Sequence, residues 1–179
     1  MTTDSNLTAA ATPQECAPAR RVLLVVESDP VRRRDFAQRC RPRTKSSRSS
    51  RGAGGAQERP PVLETASGLG EAAACLKRTR PDYALVSSRL ADGAITDVLR
   101  LILERSPACQ ILVVSNSPDE AAAARALSAG ANGYLMEGEL PADLSECFAL
   151  MASGGSLVSP ELARCALVTL EARRSPGGA

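Results

Sequence analysis

Apolar residues in this chain gather into short unbroken runs, and amphipathic stretches separate them. Residues 22–27 (VLLVVE) are apolar up to Glu27 and are closed by the polar cluster Ser28, Asp29 and Pro30. Their length and Val content fit a strand buried on both faces better than a helix. Pro30 suits the first turn of a following helix with Asp29 as its N-cap, and that helix is predicted to reach about Cys40. Residues 62–66 (VLETA) read as a short strand. Leu69, Ala72, Ala73 and Leu76 then mark one helical face at the i, i+3, i+4, i+7 spacing. Residues 83–87 (YALVS) predict another strand, with Ile95, Val98, Leu99 and Ile102 on the helix behind it. Residues 111–114 (ILVV) carry the strongest strand signal, and an Ala-rich helix over 118–129 stops at Ala129 and Gly130. Residues 133–136 (GYLM) predict a last short strand. Leu140, Leu144, Cys147, Phe148 and Met151 mark a helix over 141–153, ended by Gly154 and Gly155.

These alternating units predict an α/β fold, a five-stranded doubly wound parallel sheet with helices on both faces. In such sheets the site lies outside the carboxyl ends of the strands. The polar residues there are Glu27, Ser28, Asp29, Ser87, Ser88, Ser115, Asn116 and Glu137.

Three segments stand outside the pattern. Residues 1–20 have no periodicity and read as a disordered tail. Residues 41–61 (RPRTKSSRSSRGAGGAQERPP) hold no apolar side chain larger than Ala and read as a disordered insert within the 21–155 domain. Residues 156–173 predict an extra C-terminal helix, with Ser159 as N-cap, Pro160 at the first position and Leu162, Cys165, Ala166, Thr169 and Leu170 on one face. Residues 174–179 form a short polar tail.

Composition narrows the chemistry. There is no His and no Trp, with two Tyr and two Phe. That excludes a Ser-His-Asp triad, a Cys-His nucleophile and imidazole metal ligands. It also removes the aromatic platform on which single-stranded nucleic acid stacks. The six Cys are widely spaced without a C-x-x-C pair, so they read as free thiols rather than a metal or disulfide framework. No run approaches the ~20 apolar residues that cross a bilayer, and no secretory leader opens the chain, so no membrane contact and a cytoplasmic location are expected. Lys and Arg number 22 against 20 Asp and Glu. The near balance hides a segregation. Residues 31–60 hold ten basic and two acidic side chains, and everything else holds 12 basic and 18 acidic. A mildly acidic domain carries a basic segment.

Three stretches together resemble the receiver domain of bacterial response regulators: RVLLVVESDPVRR, ETASGLGEAAACLKRTRPDYALVSSRLADG and ILVVSNSPDEAAAARALSAGANGYLMEGELPADLSECFALMASGGSLVSPELA. GANGYLM and GGSLVSPELA are most similar to regulators of the LuxR-type output class. The resemblance spans residues 21–163 apart from the insert and implies the flavodoxin-like receiver fold and a signalling domain rather than an enzyme. Active receivers hold Mg²⁺ with two acids after the first strand and an Asp ending the third. That Asp takes a phosphoryl group from a histidine kinase, while a Thr or Ser ending the fourth strand and a Lys ending the fifth contact the phosphoryl oxygens. A hard cation needs anionic oxygen ligands, and the Lys offsets the added charge.

This chain departs at most of those positions. Glu27 keeps the first acid, Ser28 replaces the second, and Asp29 follows it. The acceptor position falls on Ser87, the Lys position on Glu137, and the Pro of the loop after the acceptor becomes Ala91. Ser115 and Tyr134 keep the two switch positions. They read either as the retained switch or, more simply, as a helix cap and a half-buried packing residue. A negative Glu137 facing an incoming phosphate costs on the order of 1–4 kcal/mol. The resemblance therefore implies an atypical receiver, or pseudo-receiver, with no cofactor, weak or absent Mg²⁺ binding, and no histidine kinase partner. Its action is expected through protein partners, with the 118–153 face open to self-association. Two alternatives remain. A phosphorelay receiver could use Asp29 or Asp92, or Ser87 could be modified by a serine/threonine kinase. Alternatively, the basic insert (Arg41, Arg43, Lys45, Arg48, Arg51 and Arg59) could bind nucleic acid through phosphates without sequence reading. Ser46, Ser47, Ser49 and Ser50 are candidate modification sites there. The terminal helix is similar to the linker to a DNA-binding helix-turn-helix. No such module follows in this sequence, so specific DNA reading is not expected.

Overall fold

A computed structural model describes residues 20–41, 61–160 and 162–163. Its order is β1 (Val22–Val26), α1 (Pro30–Arg39), β2 (Val62–Ala66), α2 (Leu69–Leu76), β3 (Tyr83–Ser87), α3 (Ile95–Arg105), β4 (Gln110–Ser115), α4 (Glu120–Ser128), β5 (Gly133–Met136), α5 (Ser145–Ala152) and β6 (Leu157–Val158). The strands form one sheet in the order β2-β1-β3-β4-β5-β6, and every pairing is parallel. The expected five-strand sheet is thus corrected to six. The sixth strand is two residues long, too short for any periodic or continuous apolar signal to register. Gly133 lets it close in: a Cβ there would stand 2.8 Å from the Leu157 carbonyl oxygen.

Each strand runs apolar because both faces are covered. Leu24, Val26, Ala84, Val86, Ile111, Val113 and Tyr134 pack under α2, α3 and α4. Leu23, Val25, Leu85, Leu112, Val114 and Leu135 pack under α1 and α5, against Phe36, Leu144, Phe148 and Met151. This two-sided burial is worth about 1.5–3 kcal/mol for each large aliphatic side chain.

Helix starts follow local chemistry. Asp29 caps α1 as expected, accepting from the Val31 and Arg32 N–H groups, with Pro30 in the first turn. The Ala-rich α4 begins at Glu120 rather than 118, because Asp119 accepts from the Ala122 N–H. Gly130, with φ of 102°, turns the chain out of that helix. Residues 137–139 form a 3₁₀ turn, Leu140 is extended, and α5 starts at Ser145, later than its apolar pattern suggested.

The α1 C-terminus is fastened across the molecule. Arg39 Nη2 donates to the Leu140 and Pro141 carbonyls at 2.7 Å each, and the Arg39 carbonyl accepts from Leu144 N–H at 3.0 Å. Arg39→Ala should lower unfolding free energy by about 1–3 kcal/mol, since two charge-assisted bonds to carbonyls are lost. A denaturant midpoint equal to the parent's would refute this.

The tail (1–19), the insert positions Arg43, Lys45, Arg48, Arg51 and Arg59, and the C-terminal segment from 164 on lie outside the described residues. Arg41 is described and exposed. At the start of the predicted terminal helix, the Ser159 carbonyl accepts from Ala163 N–H, and its hydroxyl donates to Glu139 at 2.9 Å. No helix among the described residues is long and apolar enough to cross a membrane.

Candidate functional site

Chain order reverses direction on either side of β1, which pairs with β2 on one edge and β3 on the other. In parallel sheets the crevice expected at such a switch lies outside the carboxyl ends of the strands. Glu27 and Ser87 line it, each only 2% exposed, and Ser115 closes its β4 side with the same exposure. Glu137 follows β5 and is partly exposed.

The structure gathers Glu27, Ser28, Asp29, Ser87, Ser115 and Glu137 at this end of the sheet, but it employs them in ways the sequence did not reveal. Glu27 Oε1 accepts from the Asp29 N–H at 2.9 Å. Its Oε2 makes no hydrogen bond among the described residues and faces Arg32 Nη2 at 3.4 Å. The same Nη2 lies 3.0 Å from Glu137 Oε2. Arg32 therefore spans the two carboxylates by charge contact rather than by aligned hydrogen bonds. Its guanidinium also lies over the Phe36 ring at 5.6 Å. The expectation of an unopposed negative Glu137 is corrected: the cation missing from the end of β5 arrives from the first turn of α1. Arg33 adds a second cation, donating to the Glu27 carbonyl at 2.6 Å and the Ser28 carbonyl at 3.2 Å. Neither arginine was singled out from sequence beyond the count of basic residues. Three adjacent arginines, 32 to 34, give no signal of which one turns inward.

The hydroxyls are occupied too. Ser28 Oγ donates to the Ser67 carbonyl at 2.9 Å and accepts from Ala91 N–H at 3.0 Å, tying the β1, β2 and β3 loops together. Ser88 Oγ donates to Ser115 Oγ at 2.9 Å, and Ser115 donates to the Ser117 carbonyl at 2.8 Å. Ser115 therefore braces the β3 and β4 loops and does not cap α4. Ser87 makes no side-chain hydrogen bond to another described residue. Tyr134 is not half-buried as its packing reading held. It is fully buried, and its hydroxyl has no partner among the described residues.

Both spare acids have structural work. Asp29 caps α1, and hydrogen bonds from the Arg32 and Val31 N–H groups hold its carboxyl below the usual range. Asp92, from the loop after β3, accepts from Leu69 N–H at 2.9 Å and Gly70 N–H at 3.1 Å. It caps α2 from outside that helix, and those two bonds lower its pKa. Gly68 makes room for it, since a Cβ there would fall on the carboxylate. Glu71 is lowered likewise by the Ser67 N–H. These three carboxylates have folded pKa values below their ordinary ones, so their stabilisation is present above about pH 4 and is lost as pH falls through the depressed values. Melting temperature should drop steeply below that pH, and Asp92→Asn should shrink the drop. An unchanged acid dependence in Asp92→Asn would rule the Asp92 contribution out.

Mg²⁺ does not fit this donor set. Among the described residues no group of three or more Cys, Asp or Glu is placed to hold a metal ion. Glu27 and Glu137 already share a guanidinium, and the Ser28 hydroxyl is spent on the loops. Cys40, Cys75, Cys109 and Cys147 are free and buried, and burial pushes the Cys40 and Cys109 thiols up to about 12. They are unreactive core side chains.

No protein-family model matches the chain. Among curated proteins it is similar to the photosynthetic apparatus regulatory protein RegA of Cereibacter sphaeroides, 41% identical over 100 residues, covering 55% of this chain and 53% of RegA. It is also similar to the DNA-binding transcriptional activator DevR/DosR of Mycobacterium tuberculosis, 28% identical over 116 residues, covering 65% of this chain and 54% of that protein. The chain thus spans about half the length of these relatives. Among solved structures, a LuxR-family two-component response regulator from Aurantimonas sp. SI85-9A1 superposes with a TM-score of 0.62 at 23% identity, covering 82% of this chain and 94% of that one. A CheY-like receiver domain protein from Methanospirillum hungatei JF-1 gives 0.60 at 20% identity, covering 76% and 96%.

Proposed function

We propose, for a chain that has the fold of response-regulator receiver domains, that it is an atypical receiver acting through protein contacts in signal transduction or transcriptional regulation, without aspartyl phosphorylation. The observation that carries this reading is the crevice itself. A neutral Ser87 stands at the acceptor position, and Arg32 holds both remaining carboxylates. Phosphoryl transfer to a receiver needs an anionic oxygen nucleophile beside a metal ion, and neither requirement is met by these side chains. The rebuilt-site alternative is disfavoured because Asp29 and Asp92 each accept two N–H groups at a helix N-terminus. Moving either carboxylate to the crevice would uncap a helix.

The curated relatives are named as regulators, one of them a DNA-binding activator, which supports a place in gene regulation. The lateral edge of the sheet flanked by α4 and α5, with β6 added to β5, serves as the contact surface, for a partner or a second copy. Leu150 on α5 is an exposed large apolar residue, 46% accessible. Sedimentation of the protein with and without acetyl phosphate and Mg²⁺ tests this reading. The same oligomeric state in both is expected. Assembly that appears only with the phosphodonor would overturn it.

A further inference from the structure

We propose that Arg32 is the built-in cation of this crevice: its guanidinium fills the place between Glu27 and Glu137 that a divalent ion would need, and a divalent-cation site emerges only when that charge is removed. The inference rests on the receiver reading for where the crevice lies, and it adds how that crevice is regulated.

Glu27 is buried, with its side chain 3% exposed and Oε2 without a hydrogen bond. A carboxylate taken out of water this far needs a positive partner close by. The described structure offers Arg32 Nη2 at 3.4 Å, and the same nitrogen reaches Glu137 at 3.0 Å. The guanidinium is placed by α1, whose first turn is set by the Asp29 cap, and by the Phe36 ring beneath it. Its side chain is three-quarters buried. A tethered cation of this kind is always present, needs no metal in solution, and cannot be exchanged. It joins α1 to the end of β5. A divalent ion entering the crevice would meet Arg32 on one side and Arg33, on the Glu27 and Ser28 carbonyls, on the other.

The test is Mn²⁺ titration of the whole protein, followed by the loss of the free-ion EPR signal. The parent, Arg32→Gln and Arg32→Met should be compared with the double variant Arg32→Gln/Glu27→Gln. Met keeps the apolar stem over Phe36 if Gln disturbs folding. The parent should show no saturable binding at millimolar Mn²⁺. The two single variants should bind at least about tenfold more tightly, as expected when a unit positive charge within a few ångströms is removed. The double variant should lose the gain. If neither single variant folds without metal, Mn²⁺ should restore the circular dichroism of the parent. Parent binding as tight as that of the variants, or folded single variants that gain nothing, would overturn the inference. Metal binding by the parent with no phosphoryl gain would sink this inference and leave the receiver reading standing. A phosphoryl gain by the parent without metal binding would do the opposite.

Discussion

Truncating Phe36 to Ala should lower the unfolding free energy by about 3–5 kcal/mol, the cost of an aromatic-sized cavity in a close-packed core. The ring is completely buried on the α1 face of the sheet, in one cluster with Leu23, Val25, Leu85, Leu112 and Leu144. Strands β1, β3 and β4 all contribute to that cluster. The loss should extend beyond stability, because the Arg32 guanidinium lies over the same ring at 5.6 Å. Removing the ring frees Arg32 to leave Glu27, and a buried carboxylate is then stranded. Phe36→Leu should restore most of the stability, since shape and apolarity are largely kept. Urea denaturation measures both. A loss below about 1 kcal/mol for Ala would show that α1 does not carry the packing assigned to it.

Tyr134 should separate ring from hydroxyl. The residue is fully buried and its hydroxyl has no partner among the described residues. Tyr134→Ala should cost about 3–5 kcal/mol through the cavity left beside Ala123, Ala126 and Leu162. Tyr134→Phe should cost nothing and is expected to stabilise by about 1 kcal/mol, because a buried unpaired hydroxyl carries a desolvation penalty that Phe avoids. The opposite sign for Phe would mean that the hydroxyl finds a partner. With its ring inside and Ser115 committed to Ser88 and Ser117, this pair is held in one arrangement. The inward ring needs no phosphoryl group to draw it there.

The fold was legible where apolar runs were long enough to exceed a strand's width. Five strands and their helices can be read from residues 22 to 151, and the Asp29 cap and Pro30 start are visible in three letters. The sixth strand was not, because two residues bordering a glycine pair have no period. The late start of α5 is hidden because Leu140 stands at helical spacing ahead of Leu144 while its backbone is extended. The site was legible by position only. Glu27, Ser87, Ser115 and Glu137 could be placed at strand ends, because strand ends follow from strand limits. Their partners could not. Arg32 reaches Glu137 across more than a hundred residues, and Asp92 caps a helix that precedes it in the chain. Such contacts depend on how the helices lie on the sheet, which no local pattern encodes.

Intact mass of the full chain after incubation with acetyl phosphate and Mg²⁺ bears most directly on the central claim, that this is a receiver crevice without the phosphoryl chemistry. A single unshifted mass is expected, in the parent and at any incubation time that fully labels a conventional receiver run alongside. A Mg²⁺-dependent gain of one phosphoryl group, labile to hydroxylamine as an aspartyl phosphate must be, would contradict it.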